Sequence, residues 1–151
     1  MRVGRERALT LALDLVLVVV IGGGQTGCDN AEKREAERLI DAVGIFRRAD
    51  NNAKPGAVEN LRVVPCTAPD VCRARDACLA SAEATAKALR LKNEVEQALA
   101  KIEKGELSKD TPKAKALPKK LDEAETLLKE GHDGLTACDD QIQALKRKHR
   151  I

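Results

Sequence analysis

The chain contains almost no aromatic residues: its 151 residues include no Trp, no Tyr and a single Phe, Phe46. β-Sandwiches and β-barrels depend on aromatic and β-branched side chains, so this shortage argues against an all-β fold. Ala, Leu, Glu and Lys are abundant instead, and all four are strong helix formers. We therefore expect an all-α fold, in the form of a small helical domain.

The sequence also lacks the short motifs that carry common catalytic chemistry. It contains no Gly-x-Ser-x-Gly, no His-Glu-x-x-His and no Gly-rich phosphate loop. His132 and Asp133, between Gly131 and Gly134, could form a small polar site, but such a group is more often a solvated helix face. We expect a protein that is not an enzyme, with no catalytic residues, no metal and no noncovalent cofactor.

Nucleic-acid binding is a further function that the composition disfavours. The formal net charge is only +3. A charge of this size does not by itself indicate a nucleic-acid partner. Proteins that bind single strands also stack bases on aromatic side chains, and none are interleaved with the cations here.

The N-terminus has the three parts of a secretory signal peptide. Arg2, Arg5 and Arg7 precede an apolar stretch over residues 8–13 and 15–21, interrupted by Asp14, and three glycines at 22–24 follow it. A basic start, a short apolar core and small residues after it are typical of an export signal. The apolar stretch is shorter than the roughly 20 residues that a membrane-spanning helix needs.

The next residues, Thr26-Gly27-Cys28, resemble the end of the lipobox of bacterial lipoprotein precursors, although Gln25 stands where that class usually has an apolar residue. The resemblance implies that residues 1–27 are removed as a signal peptide. It also implies that Cys28 receives diacylglycerol on its sulfur and usually an acyl chain, such as palmitate, on its amine. The alternatives are an uncleaved N-terminal anchor, an ordinary cleaved signal or no signal.

A lipid on Cys28 implies a location for the mature chain, residues 28–151. The protein would be anchored in a membrane of the bacterial cell envelope and would face the periplasm or the exterior. More than one acyl chain is needed for a firm anchor, and a diacylglycerol meets that condition. The resemblance leaves open whether the membrane is the inner or the outer one.

The number of cysteines, five, is odd. With Cys28 lipidated, four remain in an exported domain, and an even set there indicates two disulfides. Zinc binding with His132 is an alternative, but structural zinc sites usually contain close Cys-x2-Cys pairs, which are absent here. The same absence argues against a redox-active Cys-x-x-Cys pair. The four cysteines are Cys66, Cys72, Cys78 and Cys138.

The first part of the mature chain, residues 28–64, is expected to be helical. Apolar residues recur at helical spacing over about residues 30–49, and charged residues occupy the positions between them. Asn51, Asn52 and the Pro55-Gly56 pair indicate the end of this helix. Residues 57–64 are expected to form a brief second helix.

Residues 65–151 are expected to form a long antiparallel, coiled-coil-like helical hairpin. Its first helix is predicted over about residues 70–104, and its second begins near Pro112 or after Pro118. The second helix carries a heptad seam, with steps of four and three residues, which requires a partner helix. Two glycines, 131 and 134, are expected to kink it. The seam consists of Leu117, Leu121, Ala124, Leu128, Gly131, Leu135, Cys138, Ile142 and Leu145.

The hairpin limits how the cysteines can pair. Cys78 and Cys138 are equidistant in sequence from Ser108, in the predicted loop, so they lie level across the interface. Cys72 and Cys78 lie on one helix with about 9 Å of rise between them, which is too far for a bond. Two connectivities remain. We favour Cys66–Cys72 with Cys78–Cys138, which staples the hairpin, over Cys66–Cys78 with Cys72–Cys138.

Two basic clusters are candidate contact patches. One consists of Lys146, Arg147, Lys148 and Arg150, at the end of the last helix, where cations also complement the helix dipole. It is a candidate contact for anionic lipid headgroups or for another acidic polymer of the envelope. The second cluster lies near the loop of the hairpin and consists of Lys113, Lys115, Lys119 and Lys120.

These observations favour a noncatalytic helical module that binds a protein partner in the cell envelope. The expected partners are membrane lipid through Cys28, an envelope protein that the sequence does not identify, and a second copy of the chain through the heptad seam. The alternative function is a binder or inhibitor of an envelope polymer or hydrolase that acts through the basic clusters.

Overall fold

The structure, a computed structural model, describes residues 26–151, and the side chains from residue 30 onward. The predicted export signal, apart from Thr26 and Gly27, lies outside the described residues. Within them the fold is all-α with no strand, which confirms the expected fold class. The helices are α1 (Thr26–Arg48), α2 (Lys54–Arg62), α3 (Pro69–Glu103), α4 (Pro112–Lys115) and α5 (Leu117–His149).

Prolines at the starts of the helices explain most of the boundaries. Pro55, Pro69, Pro112 and Pro118 each lie in the first two positions of a helix, where a missing N–H costs nothing. Both start signals expected for the last helix are therefore used, the first by α4 and the second by α5. α1 begins at Thr26, four residues earlier than the sequence indicates, so Cys28 belongs to its first turn.

α3 and α5 form the expected antiparallel hairpin. Ion pairs between the helices show the antiparallel order, because residue numbers rise along α3 as those of their partners fall along α5. The pairs are Asp70–Lys148, Lys87–Glu123 and Glu94–Lys120. Cys78 and Cys138 are joined by a disulfide, with their Cα atoms 4.5 Å apart. In the chain-entropy model, a bridge that closes a loop of about 60 residues contributes about 4 kcal/mol to the free energy of unfolding.

Gly131 lies at a close approach of α3 and α5. Ser81 Oγ donates a hydrogen bond of 2.6 Å to the Gly131 carbonyl oxygen. A Cβ atom at residue 131 would lie 3.1 Å from the Ser81 carbonyl oxygen and 3.2 Å from the Thr85 nitrogen. The glycine therefore permits close contact between the two backbones, and α5 continues through it as one uninterrupted helix. The kink expected at Gly131 and Gly134 stays a prediction.

α1 and α2 pack on the half of the hairpin that contains the disulfides. The main hydrophobic core lies there, and its largest fully buried side chains include Leu39 of α1, Leu61 of α2 and Leu145 of α5. Phe46, the single aromatic residue, is also part of this core. A second, small cluster near the other end contains Val95, Ala98 and Leu117.

A second disulfide joins Cys66 to Cys72 and ties the segment before α3 to the first turns of that helix. Together with Cys78–Cys138 it forms the connectivity that the sequence favours. Since the loop it closes is short, its expected contribution is smaller, about 2 kcal/mol. With all four sulfurs in disulfides, the thiolate ligands that the zinc alternative requires are not present.

The N-terminus of α3 is capped by a side chain from α1. The residue before the helix, Ala68, has no side chain that can accept a hydrogen bond. The Glu35 carboxylate instead accepts hydrogen bonds from the N-cap residue itself and from the residue before it: Thr67 N (2.8 Å), Thr67 Oγ1 (2.6 Å) and Ala68 N (3.2 Å). These hydrogen bonds, the one from the Thr67 side chain first, hold the pKa of Glu35 below its ordinary value. Glu35 thus links α1 to the start of the hairpin.

Replacing two helical glycines with alanine is expected to change the stability of the protein in opposite directions. Gly131→Ala should destabilise the protein by about 1–3 kcal/mol, because the new Cβ meets the backbone of α3. Gly56→Ala, in α2, should stabilise it by about 0.5–1 kcal/mol, because nothing lies within 4 Å of the new Cβ. Urea denaturation measures both, and a stabilising Gly131→Ala would contradict the close approach of α3 and α5.

Glu35→Ala is expected to lower the free energy of unfolding by about 1–2 kcal/mol at neutral pH, because α3 loses its cap. The folded-state pKa of Glu35 is below the unfolded value of about 4.3, so the ionised carboxylate stabilises the fold above that pH. This contribution disappears as the pH falls through the folded-state pKa. The variant should therefore lose less stability than the wild type between about pH 7 and about pH 3.

Urea titrations at the two pH values test the effect, with Glu37→Ala as the matched control. Within residues 26–151, Glu37 makes no hydrogen bond to α3 or its preceding segment, and its replacement should change stability by less than about 0.5 kcal/mol. Equal pH dependence in Glu35→Ala and the wild type would exclude the capping role.

Candidate functional site

The long axis of the hairpin gives the domain two ends. We call one end the base: it contains the first turns of α1, the start of α3 and the end of α5. Lys148 holds these three segments together, since its Nζ lies 2.8 Å from Asp70 Oδ2 and 3.2 Å from Glu32 Oε2. We call the other end, residues 104–116, the tip. α3 has 35 residues, so base and tip are about 50 Å apart.

Cys28, the predicted lipidation residue, belongs to the base. Its side chain is outside the described side chains, but its backbone lies in α1, one turn before Glu32. Because Glu32 contacts Lys148, the chain enters the domain beside the C-terminal end of α5. A lipid on Cys28 would therefore bring the base to the membrane and leave the tip remote from it.

The C-terminal basic cluster also lies at the base. Hydrogen bonds to Asp70 and to Glu32 raise the pKa of Lys148 above its ordinary value. At Asp70, burial raises the pKa of the carboxyl, but the hydrogen bond and charge of Lys148 outweigh it and the pKa is lowered. Lys146, Arg147 and Arg150 make no ion pair within residues 26–151. Lys148 is therefore a structural cation, and the other three are available for a ligand.

A shallow cleft opens between α1 and the end of α5, beside this cluster. Asn30 and Lys33 line it on the α1 side, and Lys148, His149 and Arg150 line it on the α5 side. His149 is 8% exposed, and its Nε2 has no hydrogen-bond partner among the described residues. The nearest carboxylate oxygen is Asp70 Oδ2 at 3.8 Å. The sequence analysis does not single out His149, although its position four residues after the buried Leu145 places it on the same face of α5.

The second basic cluster lies at the opposite end, at and near the tip. Lys113 and Lys120 line a cleft with Lys101 and Leu117. Lys120 donates a hydrogen bond to Glu94, which lowers the pKa of that carboxyl. Lys115 and Lys119 are exposed. The fold thus places the two clusters that the sequence indicates at opposite ends of the molecule.

The heptad seam of α5 is only half buried. Every seventh residue from Leu117 to Leu145 faces α3 and is buried: Leu117, Ala124, Gly131, Cys138 and Leu145. The alternate positions differ along the helix. Ile142 is 4% exposed and lines a groove with residues of α1, but Leu121, Leu128 and Leu135 are 44%, 42% and 37% exposed. We call these three the leucine stripe.

The leucine stripe continues a surface that is covered nearer the base. Ile142 packs beside Ile40 and Val43 of α1, in the same heptad position as the three leucines. Arg47, in the last turn of α1, forms an ion pair with Asp139, one turn from Leu135. From Leu135 toward the tip, α1 no longer covers this heptad position, and its residues are exposed. The stripe therefore has the apolar pattern of a helix–helix interface without the third helix.

The other sequence-derived site candidate is not assembled by the fold. His132 and Asp133 are both exposed on the outer side of α5. Within the described part of the chain, no three His, Cys, Asp or Glu side chains are gathered in a way that could hold a metal ion. None of the helices in residues 26–151 has both the length and the apolar composition needed to cross a membrane.

Comparison with known proteins gives no relative: the chain matches no family model, no curated protein and no solved structure. The function must therefore be argued from the base, the tip and the leucine stripe themselves.

Alanine substitutions at two residues in the same heptad position of α5 are expected to lower the free energy of unfolding by different amounts. Ile142→Ala should cost about 2–5 kcal/mol of stability, because Ile142 is enclosed by α1 and the hairpin. Leu128→Ala should cost about 1 kcal/mol or less, because nearly half of this leucine is already in water. Thermal or urea unfolding distinguishes them. Equal losses would mean that Leu128 is core and would remove the leucine stripe as a free surface.

Proposed function

We propose that the protein is a membrane-tethered bacterial lipoprotein that acts as a noncatalytic helical protein-interaction module of the cell envelope. The observation that carries the proposal is the leucine stripe, an exposed helix–helix surface on the hairpin. The lipid on Cys28 holds the base at the membrane, and the hairpin presents the stripe to the periplasm or the exterior.

The cysteines support the anchor. Four of the five pair with one another in two disulfides, which leaves Cys28 without a partner in the chain. Disulfides are formed and maintained in exported proteins, in agreement with a signal peptide over residues 1–27. The lipobox-like Thr26-Gly27-Cys28 supports lipid attachment as the role of the remaining cysteine.

The leucine stripe supports a helical protein partner. Leucines at seven-residue intervals occupy one of the two apolar positions of a heptad repeat, so a partner helix can pack along them. A partner helix there would extend the packing that α1 provides around Ile142. An envelope protein and a second copy of this chain both meet this requirement.

The tip favours a second candidate function, the binding or inhibition of an acidic envelope polymer or of a hydrolase. The observation that supports this second function is the cleft lined by Lys101, Lys113 and Lys120, at the end of the hairpin remote from Cys28. The salt dependence of binding distinguishes the two candidate functions. Contacts through lysines weaken as ionic strength rises, whereas an apolar helix interface does not.

The anchor is tested by the intact mass of the protein extracted from membranes, beside a Cys28→Ala variant. We expect a mass that corresponds to cleavage before Cys28 plus acyl chains, with a gain of four hydrogens on reduction of the two disulfides. An unmodified full-length chain with five free thiols would contradict the proposal.

The interaction surface is tested by a photo-crosslinking amino acid placed at residue 128, with residue 130 as the matched control. Glu130 is exposed on the same turn of α5 but lies off the stripe. We expect a discrete adduct from residue 128 that persists in high salt and disappears in Leu121→Glu or Leu135→Glu. Adducts of equal yield from both residues, or none from residue 128, would refute the stripe as the contact surface.

A further inference from the structure

The base carries a set of cations whose charge is not neutralised by the fold. Lys33 and Arg34 on α1, and Lys146, Arg147 and Arg150 on α5, form no ion pair within residues 26–151. Two base carboxylates, Glu32 and Asp70, are both engaged by a single cation, Lys148. Among the described side chains, those of the base therefore carry an excess of positive charge, at the end where Cys28 enters the domain.

We infer that this surface binds the phosphate groups of anionic phospholipids in the membrane that holds Cys28. The inference rests on the proposed lipid anchor, which fixes the base at headgroup level. Asn30 belongs to the same helix as Cys28 and is separated from it by about 3 Å of helical rise. Lys33 on α1 and Arg150 after α5 line the same shallow cleft, so a headgroup phosphate in that cleft would lie beside both cations.

Charge and position together select the lipid surface over other anionic partners. A Lys or Arg near an anionic leaflet strengthens binding by roughly fivefold, and the effect is confined to about one Debye length. The five cations meet that condition only because they share the base with Cys28. The tip lysines, about 50 Å away, do not. Acyl chains and a polybasic patch then act as two membrane signals.

This arrangement assigns a role to the contact between Lys148, Asp70 and Glu32. The contact joins three helices and removes two carboxylates that would otherwise repel the lipid phosphates. The leaflet would then hold the base flat against it, so that the hairpin stands away from the membrane. The patch thus determines the orientation of the domain, while the lipid on Cys28 keeps it on the membrane.

The test is lysine acetylation, read residue by residue by mass spectrometry, on the full chain as isolated from membranes. The protein is mixed with vesicles of phosphatidylcholine alone or with one-third phosphatidylglycerol. We expect Lys33 and Lys146 to be acetylated several-fold more slowly on the phosphatidylglycerol vesicles, with high salt removing the difference. Lys109 and Lys113 at the tip should react equally on both. Equal rates at Lys33 and Lys146 would overturn the inference.

Two charge-reversal variants with the same change in net charge provide the control. Arg34→Glu with Arg147→Glu alters exposed base residues and should weaken the phosphatidylglycerol-dependent binding by at least about 25-fold, fivefold for each cation. Lys113→Glu with Lys115→Glu alters exposed tip residues and should leave that binding unchanged. Circular dichroism verifies that both variants are folded. An equal loss in both would mean that net charge, and not the base, is recognised.

Failure of the anchor is visible separately in the same experiment. A lipidated chain sediments with phosphatidylcholine vesicles, so the absence of such binding would refute the lipid on Cys28. The difference between the two vesicle compositions still reports the basic patch in that case, because an unlipidated chain would bind only the anionic vesicles.

Discussion

The close contact between α3 and α5 is the constraint on which the rest of the structure depends. The Cys78–Cys138 disulfide and the hydrogen bond from Ser81 to the Gly131 carbonyl fix the two helices level and near each other. With only one aromatic residue and many alanines, the chain has a thin core that one covalent bridge stabilises strongly. α1 and α2 can then cover one part of the hairpin and leave the other bare.

Because α1 covers only part of the hairpin, the two ends of the molecule differ. Near the base, α1 encloses Ile142, and Glu35 caps α3 across 32 positions of sequence. Away from it, leucines in the same heptad position as Ile142 remain in contact with water. In this hairpin α3 buries one of the two seam positions of α5, and the other is covered only where α1 packs beside Ile142. The exposed stripe therefore begins where α1 stops. The same fold places Cys28 at the base, together with the cations that form no ion pair among the described residues.

Most of the fold can be predicted from local signals. Helix formers, prolines at helix starts and a heptad seam indicate the helices and the hairpin, and equal spacing about Ser108 brings Cys78 level with Cys138. Contacts between distant segments were not accessible in this way. The Glu35 cap requires knowing how α1 packs against α3. Periodicity shows that Leu121, Leu128 and Leu135 lie on the inner side of α5, but it does not show that α1 ends before it can cover them. His149 was missed although its spacing from Leu145 gives the signal.

The most direct test of a base-anchored, outward-facing hairpin is neutron reflectometry of the lipidated protein on a supported bilayer that contains phosphatidylglycerol. An upright domain gives a protein layer about 50 Å thick, the length of α3, with its inner edge at the headgroups. A layer roughly 20–25 Å thick, the width of two helices, would mean that the hairpin lies flat on the membrane. That result would contradict both the outward presentation of the tip and the base as the membrane-facing surface.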